Sequence, residues 1–283
     1  MNVKYIVADN AQTVPAGYHK IAQSGAYSMY ENDHTIPLAF ATDSIISQDN
    51  FNKLGFPDNI GSLYKSIVVD EDIKSTSNVS ECVFNKININ AINNENQKSL
   101  SIINTDNCYH ITANENASLS IPLGVNLKDD ILIVRFNVSN EKTQKDTDIS
   151  ITINGIKNKL SKKTAKYPNC NNSFVYIISS CESLNRLDVD FSAGEYEISD
   201  IEAYTLPVTA ISKAVSKREP FVIDTKNTAD NQIAGNIKVA NDGYFATTLP
   251  YDKGYIITVD GNSQTYQKVN TAFVGFPITE GNH

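Results

Sequence analysis

The stretch YFATTLPYDKGYIITVDG, residues 244–261, carries the clearest local fold signal in the sequence. Its apolar and aromatic residues are typical of two strands, at residues 244–249 and 255–259, separated by a Pro-Tyr-Asp-Lys-Gly turn. Asp260 and Gly261 then predict a type I′ hairpin turn, because both central positions of this turn require a positive φ.

The chain after this hairpin continues the strand pattern. Residues 265–269 predict a strand that pairs back on the hairpin, and residues 273–276 supply further apolar side chains. Residues 280–282, Glu-Gly-Asn, indicate a turn with no strand after it. We therefore expect the end of the chain to form a small β-hairpin unit.

Short runs of alternating or β-branched residues recur along the rest of the chain. They lie at residues 4–7, 27–30, 67–69, 83–92, 117–121, 131–138, 149–153, 174–178, 187–191 and 196–204. Asn, Gly, Ser and Asp cluster between these runs, and Asn154 with Gly155 is typical of a hairpin turn. The pattern predicts a mainly β, antiparallel fold.

Two segments depart from the strand pattern and predict short helices. Residues 58–67 place apolar side chains on one helical face, and Asp58 is suited to cap the start of this helix. The second helix follows Pro207 and ends before Pro220, so it is suited to connect two domains.

These signals divide the chain into four predicted parts. Residues 1–74 form a β/α segment that packs with the tail, and residues 75–206 form a jelly-roll-like antiparallel β-sandwich. Residues 207–220 form the helical connector, and residues 221–283 form the C-terminal β-hairpin unit. The two terminal segments together make the smaller β unit.

The charge and hydropathy of the chain exclude several classes of partner. The formal net charge is −8 and there is no long Lys/Arg run, which argues against binding to nucleic acid or to an anionic membrane face. No stretch approaches the ~20 apolar residues that cross a bilayer. The N-terminus lacks the pattern of a signal peptide.

Cysteine and histidine spacing gives no sign of a metal site or a cofactor. Cys82, Cys108, Cys170 and Cys181 permit three pairings, and none of them stands in a Cys-x-x-Cys motif. Isolated thiols and a local disulfide between Cys170 and Cys181 both stay open. The acidic residues at 70–72, Asp188 and Asp190 are better explained as solvated charges than as calcium ligands. We predict no metal.

One loop has the composition of a carbohydrate-binding site. Tyr167 offers an aromatic platform, and Asn169 and Asn171 offer amides that can bind sugar hydroxyls. The alternative is an ordinary turn with a half-buried tyrosine, which the absence of Trp from the chain favours.

Two motifs at the ends of the chain resemble one known family. The segments YENDHTIPLAF at residues 30–40 and LPYDKGYIITVDG at residues 249–261, followed by VNTAFVGF at residues 269–276, resemble the extracytoplasmic C-terminal region of the YfhO family of bacterial multispanning membrane proteins. Tyr255 stands where that family usually has Trp. The positions that match the family motifs are Tyr30, Glu31, Asn32, Pro37, Pro250, Tyr251, Asp252, Gly254, Asp260 and Gly261. We expect a structural role for these residues, with docking onto the membrane part as the alternative.

The resemblance implies a location and a role for the chain. It implies a domain on the outer face of the bacterial cell membrane, attached to its own transmembrane region and continuing past His283 with one more strand and a membrane helix. Similar proteins resemble polyprenyl-phosphate-sugar-dependent glycosyltransferases linked with lipoteichoic acid. The resemblance places the catalytic carboxylate in a loop near the first membrane helices, outside this chain.

The expected function is therefore noncatalytic. The chain is expected to hold the acceptor, a cell-envelope glycan polymer, or the enzyme's own membrane half. No catalytic residue is assigned. The alternative is a free-standing surface module for carbohydrate binding or adhesion.

Overall fold

The computed structural model of this chain describes residues 3–9, 12–32, 34–70, 84–89, 95–96, 98–105, 108–141 and 143–283. Strands dominate these residues, and nearly all the strand pairs are antiparallel, which confirms the mainly β fold. The jelly-roll topology of the central part stays a prediction. Three short helices accompany the strands where two were predicted.

The N-terminal part forms two groups of strands, and two helices lie between β5 and β6 of the second group. Its elements are β1 (Tyr5–Asp9), β2 (Tyr18–Ser24), β3 (Tyr27–Asn32), β4 (Ala39–Thr42), β5 (Ile45–Ser47), α1 (Gln48–Asn52), α2 (Asp58–Lys65) and β6 (Ile67–Val69). Strands β1, β3 and β2 form a sheet of their own.

The unpredicted helix α1 depends on a cap and not on an apolar face. The Ser47 hydroxyl accepts a hydrogen bond from the Asn50 backbone nitrogen at 3.3 Å, and the helix has only five residues, none of them buried. In α2 the N-cap position is Pro57, so the predicted cap Asp58 lies inside the first turn. Its carboxylate there is suited to the helix dipole.

The central part contributes eleven strands and no helix among its described residues. They are β7 (Asn85–Ile87), β8 (Glu95–Asn96), β9 (Leu100–Thr105), β10 (Cys108–Ala113), β11 (Ala117–Leu127), β12 (Asp130–Ser139), β13 (Ile149–Ile153), β14 (Ile156–Leu160), β15 (Ser173–Ser179), β16 (Leu184–Phe191) and β17 (Gly194–Pro207). Asn154 and Gly155 both have a positive φ and connect β13 to β14 as a tight hairpin.

Two sheets of this central part enclose one core. The first has the order β15-β12-β17-β10-β9-β8, with β7 also paired to β17, and the second has the order β11-β16-β13-β14. Alternate residues of both sheets, such as Ile111, Phe174, Ile151 and Val189, are buried in the same cluster. Tyr176 joins the sheets directly, because its hydroxyl donates to the backbone oxygen of Ile151 at 2.9 Å.

The C-terminal part begins with a helix and continues in short strands. Its elements are α3 (Val208–Val215), β18 (Glu219–Pro220), β19 (Val222–Ile223), β20 (Gly235–Asn236), β21 (Lys238–Val239), β22 (Gly243–Pro250), β23 (Thr258–Val259), β24 (Asn262–Ser263), β25 (Gln267–Val269), β26 (Phe273–Ile278) and β27 (Gly281–Asn282).

A sheet built from both ends of the chain organises the terminal segments. Its order is β18-β4-β22-β26-β25-β6-β5, with a parallel pair between β5 and β6. Alternation along β22 gives the sheet two apolar faces. Phe245 packs with Phe276 on one face, and Tyr244 packs near Phe40 on the other.

The C-terminal tail differs from its prediction in three respects. Residues 255–257 are not a strand, so the hairpin is limited to β23 and β24 on either side of Asp260 and Gly261. Strand β25 pairs with β26 and β6 instead of pairing back on the hairpin. The end of the chain forms strand β27 against β21, where a turn was predicted.

Contacts divide the chain into two compact units. One comprises the described residues of 1–10, 17–83 and 209–283, and the other those of 11–16 and 84–208. The predicted boundaries at residues 74, 206 and 220 stay predictions.

Candidate functional site

The loop predicted to bind carbohydrate lies between β14 and β15. Tyr167 is 82% exposed, with the Lys166 ammonium 5.4 Å from its ring centroid. Its ring is therefore available to a ligand, and it carries a cation on one side.

The two asparagines of this loop are used by the loop itself. Asn169 accepts from the Ser161 backbone nitrogen at 3.0 Å and donates to the Lys159 backbone oxygen at 2.7 Å. The Asn171 amide also donates to the Lys159 oxygen, at 3.3 Å. Their side-chain groups hold the backbone in place, which leaves Tyr167 as the available member of the predicted set.

Two aspartates that precede β13 form hydrogen bonds with the same loop. Asp148 accepts from the Lys162 backbone nitrogen at 2.9 Å and pairs with the Lys159 ammonium at 2.6 Å. Asp146 accepts a hydrogen bond from the Thr164 hydroxyl. The hydrogen bond from Lys159 lowers the pKa of Asp148, and that from Thr164 lowers the pKa of Asp146. The loop is thus held at several points along its length.

A polar groove crosses the outer face of the seven-stranded sheet beside this loop. Strand register places Ser173, Asn137, Ser199 and Cys108 opposite one another on β15, β12, β17 and β10. The groove has a volume of about 840 Å³ and is lined by both this row and its neighbour. Cys170 and Asn172, from the end of the loop, also line it.

The second row of the groove carries a carboxylate and an imidazole. Register places Ser139, Glu197 and His110 opposite one another, and the Glu197 carboxylate lies 3.6 Å from Nδ1 of His110. Glu141 adds a second carboxylate to the lining. Hydroxyl, amide, carboxylate and imidazole groups therefore converge on one surface, where together they can donate and accept several hydrogen bonds.

A bulge in β17 borders the groove. The register between β12 and β17 shifts between Arg135 and Asn137, and Asp200 on β17 has a φ of 53°. The Asp200 carboxylate accepts from the Asn137 amide at 2.8 Å and from the Ser199 hydroxyl at 3.1 Å. These bonds orient two of the polar side chains that line the groove.

The residues of the N-terminal family motif hold strand ends. Glu31 on β3 lies 3.2 Å from the Lys4 ammonium and accepts from the Tyr5 hydroxyl at 3.1 Å. The hydrogen bond from Lys4 is the main cause of the lowered pKa of Glu31. Asn32 accepts from the His34 backbone nitrogen at 2.8 Å. Tyr30 on β3 lies opposite Ile6 of β1, and Pro37 lies half-buried just before β4.

The residues of the C-terminal motif hold one loop together. The Gly254 nitrogen donates to the Asp252 carboxylate at 2.7 Å, and the Tyr266 hydroxyl donates to the Asp252 backbone oxygen at 3.0 Å. The Tyr251 ring lies 6.0 Å from the Tyr266 ring, and Pro250 ends β22. Their contacts belong to a loop scaffold, and none of these residues lines the polar groove of the central unit.

Asp260 and Gly261 form the tight turn of the β23–β24 hairpin. Both have a positive φ, of 52° and 79°. The Asp260 carboxylate lies 2.8 Å from Nδ1 of His283, the last residue of the chain. This contact ties the hairpin to the C-terminal strand.

The described cysteines and acidic residues form no metal centre. Cys108, Cys170 and Cys181 are free thiols, and Cys82 lies outside the described residues. Within the described ranges, no three His, Cys, Asp or Glu side chains are grouped so that they could hold a metal ion.

The aspartates of β16 are engaged across the strand pair. Asp188 accepts from the Ser120 hydroxyl at 3.1 Å, and Asp190 accepts from the Ser118 hydroxyl at 2.6 Å. The other acidic run of interest falls partly outside the described residues, at 71–72.

The groove residues are not evident from the sequence because each strand contributes only one to three of them. The usable signal was the alternation of polar residues on otherwise apolar strands, as at His110, Asn137 and Glu197. That signal marks an outward face but does not say which strands are neighbours.

Comparisons with known proteins place the chain in a family. A sequence model of the family described as "Bacterial membrane protein YfhO" matches residues 1–283. The chain is also similar to a Bacillus subtilis (strain 168) protein with the name "Uncharacterized protein YfhO", with 22% identity over 285 residues. The match covers 99% of this chain and 32% of the relative, so the chain spans about a third of the length of that relative.

These matches confirm the resemblance carried by the motifs at both ends of the chain. Among the helices that the structure describes, none is long and apolar enough to span a membrane.

Proposed function

Because this chain belongs to the YfhO family of bacterial membrane proteins, we propose that it is a noncatalytic outer domain of a glycosyltransferase-like membrane protein. In this role it lies on the extracytoplasmic face of the cell membrane, attached to the protein's own transmembrane region. It binds the acceptor glycan while a cell-envelope polymer, lipoteichoic acid, is glycosylated. Sugar transfer from a polyprenyl-phosphate-linked donor belongs to the membrane part.

The polar groove of the central unit is the observation that carries the glycan-binding role. Asn137, Ser199 and Ser173 present amide and hydroxyl groups in one row, and Glu197 with His110 presents a carboxylate and an imidazole in the next. Sugar hydroxyls both donate and accept hydrogen bonds, so they match such a mixed surface. The row spans four adjacent strands, which gives an extended polymer several contacts.

The charge of the groove favours sugars over phosphates. Glu141 and Glu197 are in its lining, and the whole chain carries a formal net charge of −8. Carboxylates accept hydrogen bonds from neutral sugar hydroxyls but repel phosphate groups. The groove is therefore suited to the sugar substituents of the polymer and not to its phosphate backbone.

No catalytic role is assigned to the groove. The family resemblance puts the catalytic carboxylate in a loop near the first membrane helices, which this chain does not include. Tethering of the acceptor raises its local concentration at the membrane part without any chemistry in this domain.

Isothermal titration of the intact chain tests this role. Lipoteichoic acid that carries sugar substituents should bind, and the same polymer without them should bind more weakly. Asn137→Ala and Glu197→Gln should each weaken binding by about tenfold, the equivalent of one lost hydrogen bond.

Asn262→Ala is the matched control, because Asn262 is an exposed residue of the terminal unit. It should bind the substituted polymer as the wild type does. The proposal is wrong if the wild type shows no saturable binding, or if the control weakens as much as the groove variants.

The exposed loop is tested separately with Tyr167→Ala. A loss of affinity in this variant extends the site from the groove to the loop, since stacking on an aromatic ring contributes to sugar binding. Unchanged affinity would show that Tyr167 is not part of the site, which then consists of the groove only.

A further inference from the structure

The two sheets of the central unit leave an apolar cavity of about 450 Å³ inside their shared core. Protein interiors are close-packed, and voids larger than a water molecule are few. An engineered cavity of ~150 Å³ lined by aliphatic side chains stays dry and binds benzene. A cavity roughly three times that size, with a mainly apolar lining, is therefore unusual for a core that serves only stability.

Both sheets contribute apolar side chains to the cavity wall. Ile151, Ile153 and Val189 come from the four-stranded sheet, and Phe136 and Ile198 come from the seven-stranded sheet. All five are buried members of the core cluster. The wall offers no charge or hydrogen bond to a ligand held between these residues, so it fits aliphatic material.

The cavity opens where β17 changes its neighbour. Residues 194–199 of β17 pair with β10, and residues 203–205 pair with β7. Between them, residues 200–202 have no ladder partner on that side among the described strands. Asp200 and Ile201 both line the cavity and are both exposed to solvent, so the cavity opens to solvent at this part of β17.

Polar side chains surround this mouth. Lys86 and Asn88 come from β7 and the residue after it, and Asn104 comes from β9. On the other side lies Asp200, whose carboxylate is held by Asn137. An apolar interior with a few polar groups at its entrance is the usual composition of a site for an amphiphilic ligand.

We propose that this cavity binds the aliphatic chain of a single-chain lipid. The aliphatic chain of the lipid enters between Ile201 and β7, and the polar head group of the lipid stays at the mouth near Lys86, Asn88 and Asn104. Burial of the aliphatic chain supplies the affinity, because each CH₂ group removed from water contributes favourably. The residues that line this cavity differ from those that line the glycan groove, and the Asn137–Asp200 hydrogen bond links the two linings.

Fluorescence titration of the intact chain with dansylundecanoic acid tests the proposal. The probe should bind saturably, at one molecule per chain, with the blue-shifted emission of an apolar environment. Ile201→Trp narrows the mouth and should weaken binding by about tenfold or more. Ile201 is 36% exposed, so a larger side chain is tolerated there.

Ile177→Trp is the matched control, because Ile177 is 44% exposed on β15 of the same sheet and does not line the cavity. It should bind the probe like the wild type. Ala203→Met fills the cavity from the inner wall and should also weaken binding, and its thermal unfolding reports whether the variant is folded. Absence of saturable binding to the wild type, or equal losses in Ile201→Trp and Ile177→Trp, would overturn the proposal.

Competition between the fluorescent probe and two unlabelled lipids identifies the class of aliphatic chain that the cavity binds. Dodecanoic acid represents straight acyl chains, and farnesyl phosphate represents branched isoprenoid chains. Displacement of the probe by either supports the site and assigns the class, and displacement by neither contradicts it. Because the assay contains no glycan, its failure leaves the groove proposal untouched.

Discussion

At the scale of single residues, His283 shows how the last residue of the chain is held. Its Nδ1 lies 2.8 Å from the Asp260 carboxylate, and its Nε2 lies 3.0 Å from the backbone oxygen of Thr279. The hydrogen bond to the Asp260 carboxylate is the main cause of the raised pKa of His283, and desolvation by burial opposes it. Protonated His283 donates to both partners at once, so the contact is strongest for the imidazolium.

This contact predicts a pH dependence of stability. A raised pKa in the folded state means that the contribution is fully present below the ordinary value of 6.5 and is lost as pH rises through the folded value. His283→Gln should therefore lower the melting temperature at about pH 5 and have little effect at about pH 9. Circular dichroism melts of both proteins measure the difference.

His34→Gln is the control for this experiment, because His34 lies exposed in a turn of the same unit. Its effect on the melting temperature should not differ between the two pH values. A destabilisation by His283→Gln that is equal at both pH values contradicts the assignment.

At the scale of elements, Arg218 joins the connector region to α2. Its Nη2 donates to the backbone oxygen of Tyr64 at 2.8 Å, at the C-terminal end of that helix. Its guanidinium lies 4.3 Å from the centroid of the Phe40 ring on β4. Burial lowers the pKa of Arg218 to about 10, so the group still carries its charge at neutral pH. One side chain thus binds a helix end and a strand.

Replacement of Arg218 should destabilise the terminal unit. Arg218→Met removes a charged hydrogen bond and a cation–π contact, and should lower the free energy of unfolding by about 2–4 kcal/mol. Lys217→Met is the control, because Lys217 is the exposed neighbour of Arg218. It should change the free energy of unfolding by less than about 0.5 kcal/mol. Urea unfolding of both variants measures these changes. Equal effects of the two substitutions would show that the Arg218 contacts do not stabilise the terminal unit.

At the scale of the whole molecule, the central unit contains a complete core. The core cluster draws on both sheets, and β17 lies between β12 and β10 in the larger one. A short segment from the N-terminal part belongs to the same unit. Val14 in this segment is buried, and its backbone oxygen accepts from the Cys181 nitrogen at 2.9 Å.

A fragment of residues 84–208, without the short N-terminal segment, should still fold by itself because it contains the residues of the core cluster. It retains every strand of the two sheets, and we expect a β-type far-ultraviolet spectrum with one cooperative thermal transition. A shorter fragment of residues 84–191 lacks the central strand β17 and should stay unfolded, because β12 and β10 lose their shared neighbour. A fragment 84–208 without a cooperative transition contradicts the independence of this unit.

Local chemistry determined much of the fold from the sequence alone. Alternating and β-branched residues predicted the strands β12, β13 and β17, because the period of two depends only on neighbours in the chain. The turn residues Asn154 and Gly155 marked their hairpin for the same reason, since their backbone conformation is a property of the residue itself. The end motifs also identified the family.

The tertiary structure alone decided where polar side chains meet. Asn137, Glu197 and His110 lie far apart in the chain, and only the order and register of β12, β17 and β10 bring them into one groove. The fold also assigned the Asn169 amide to its own loop. Strand pairing over such distances depends on the whole core, so a sequence pattern predicts that a face is polar but not what that face adjoins.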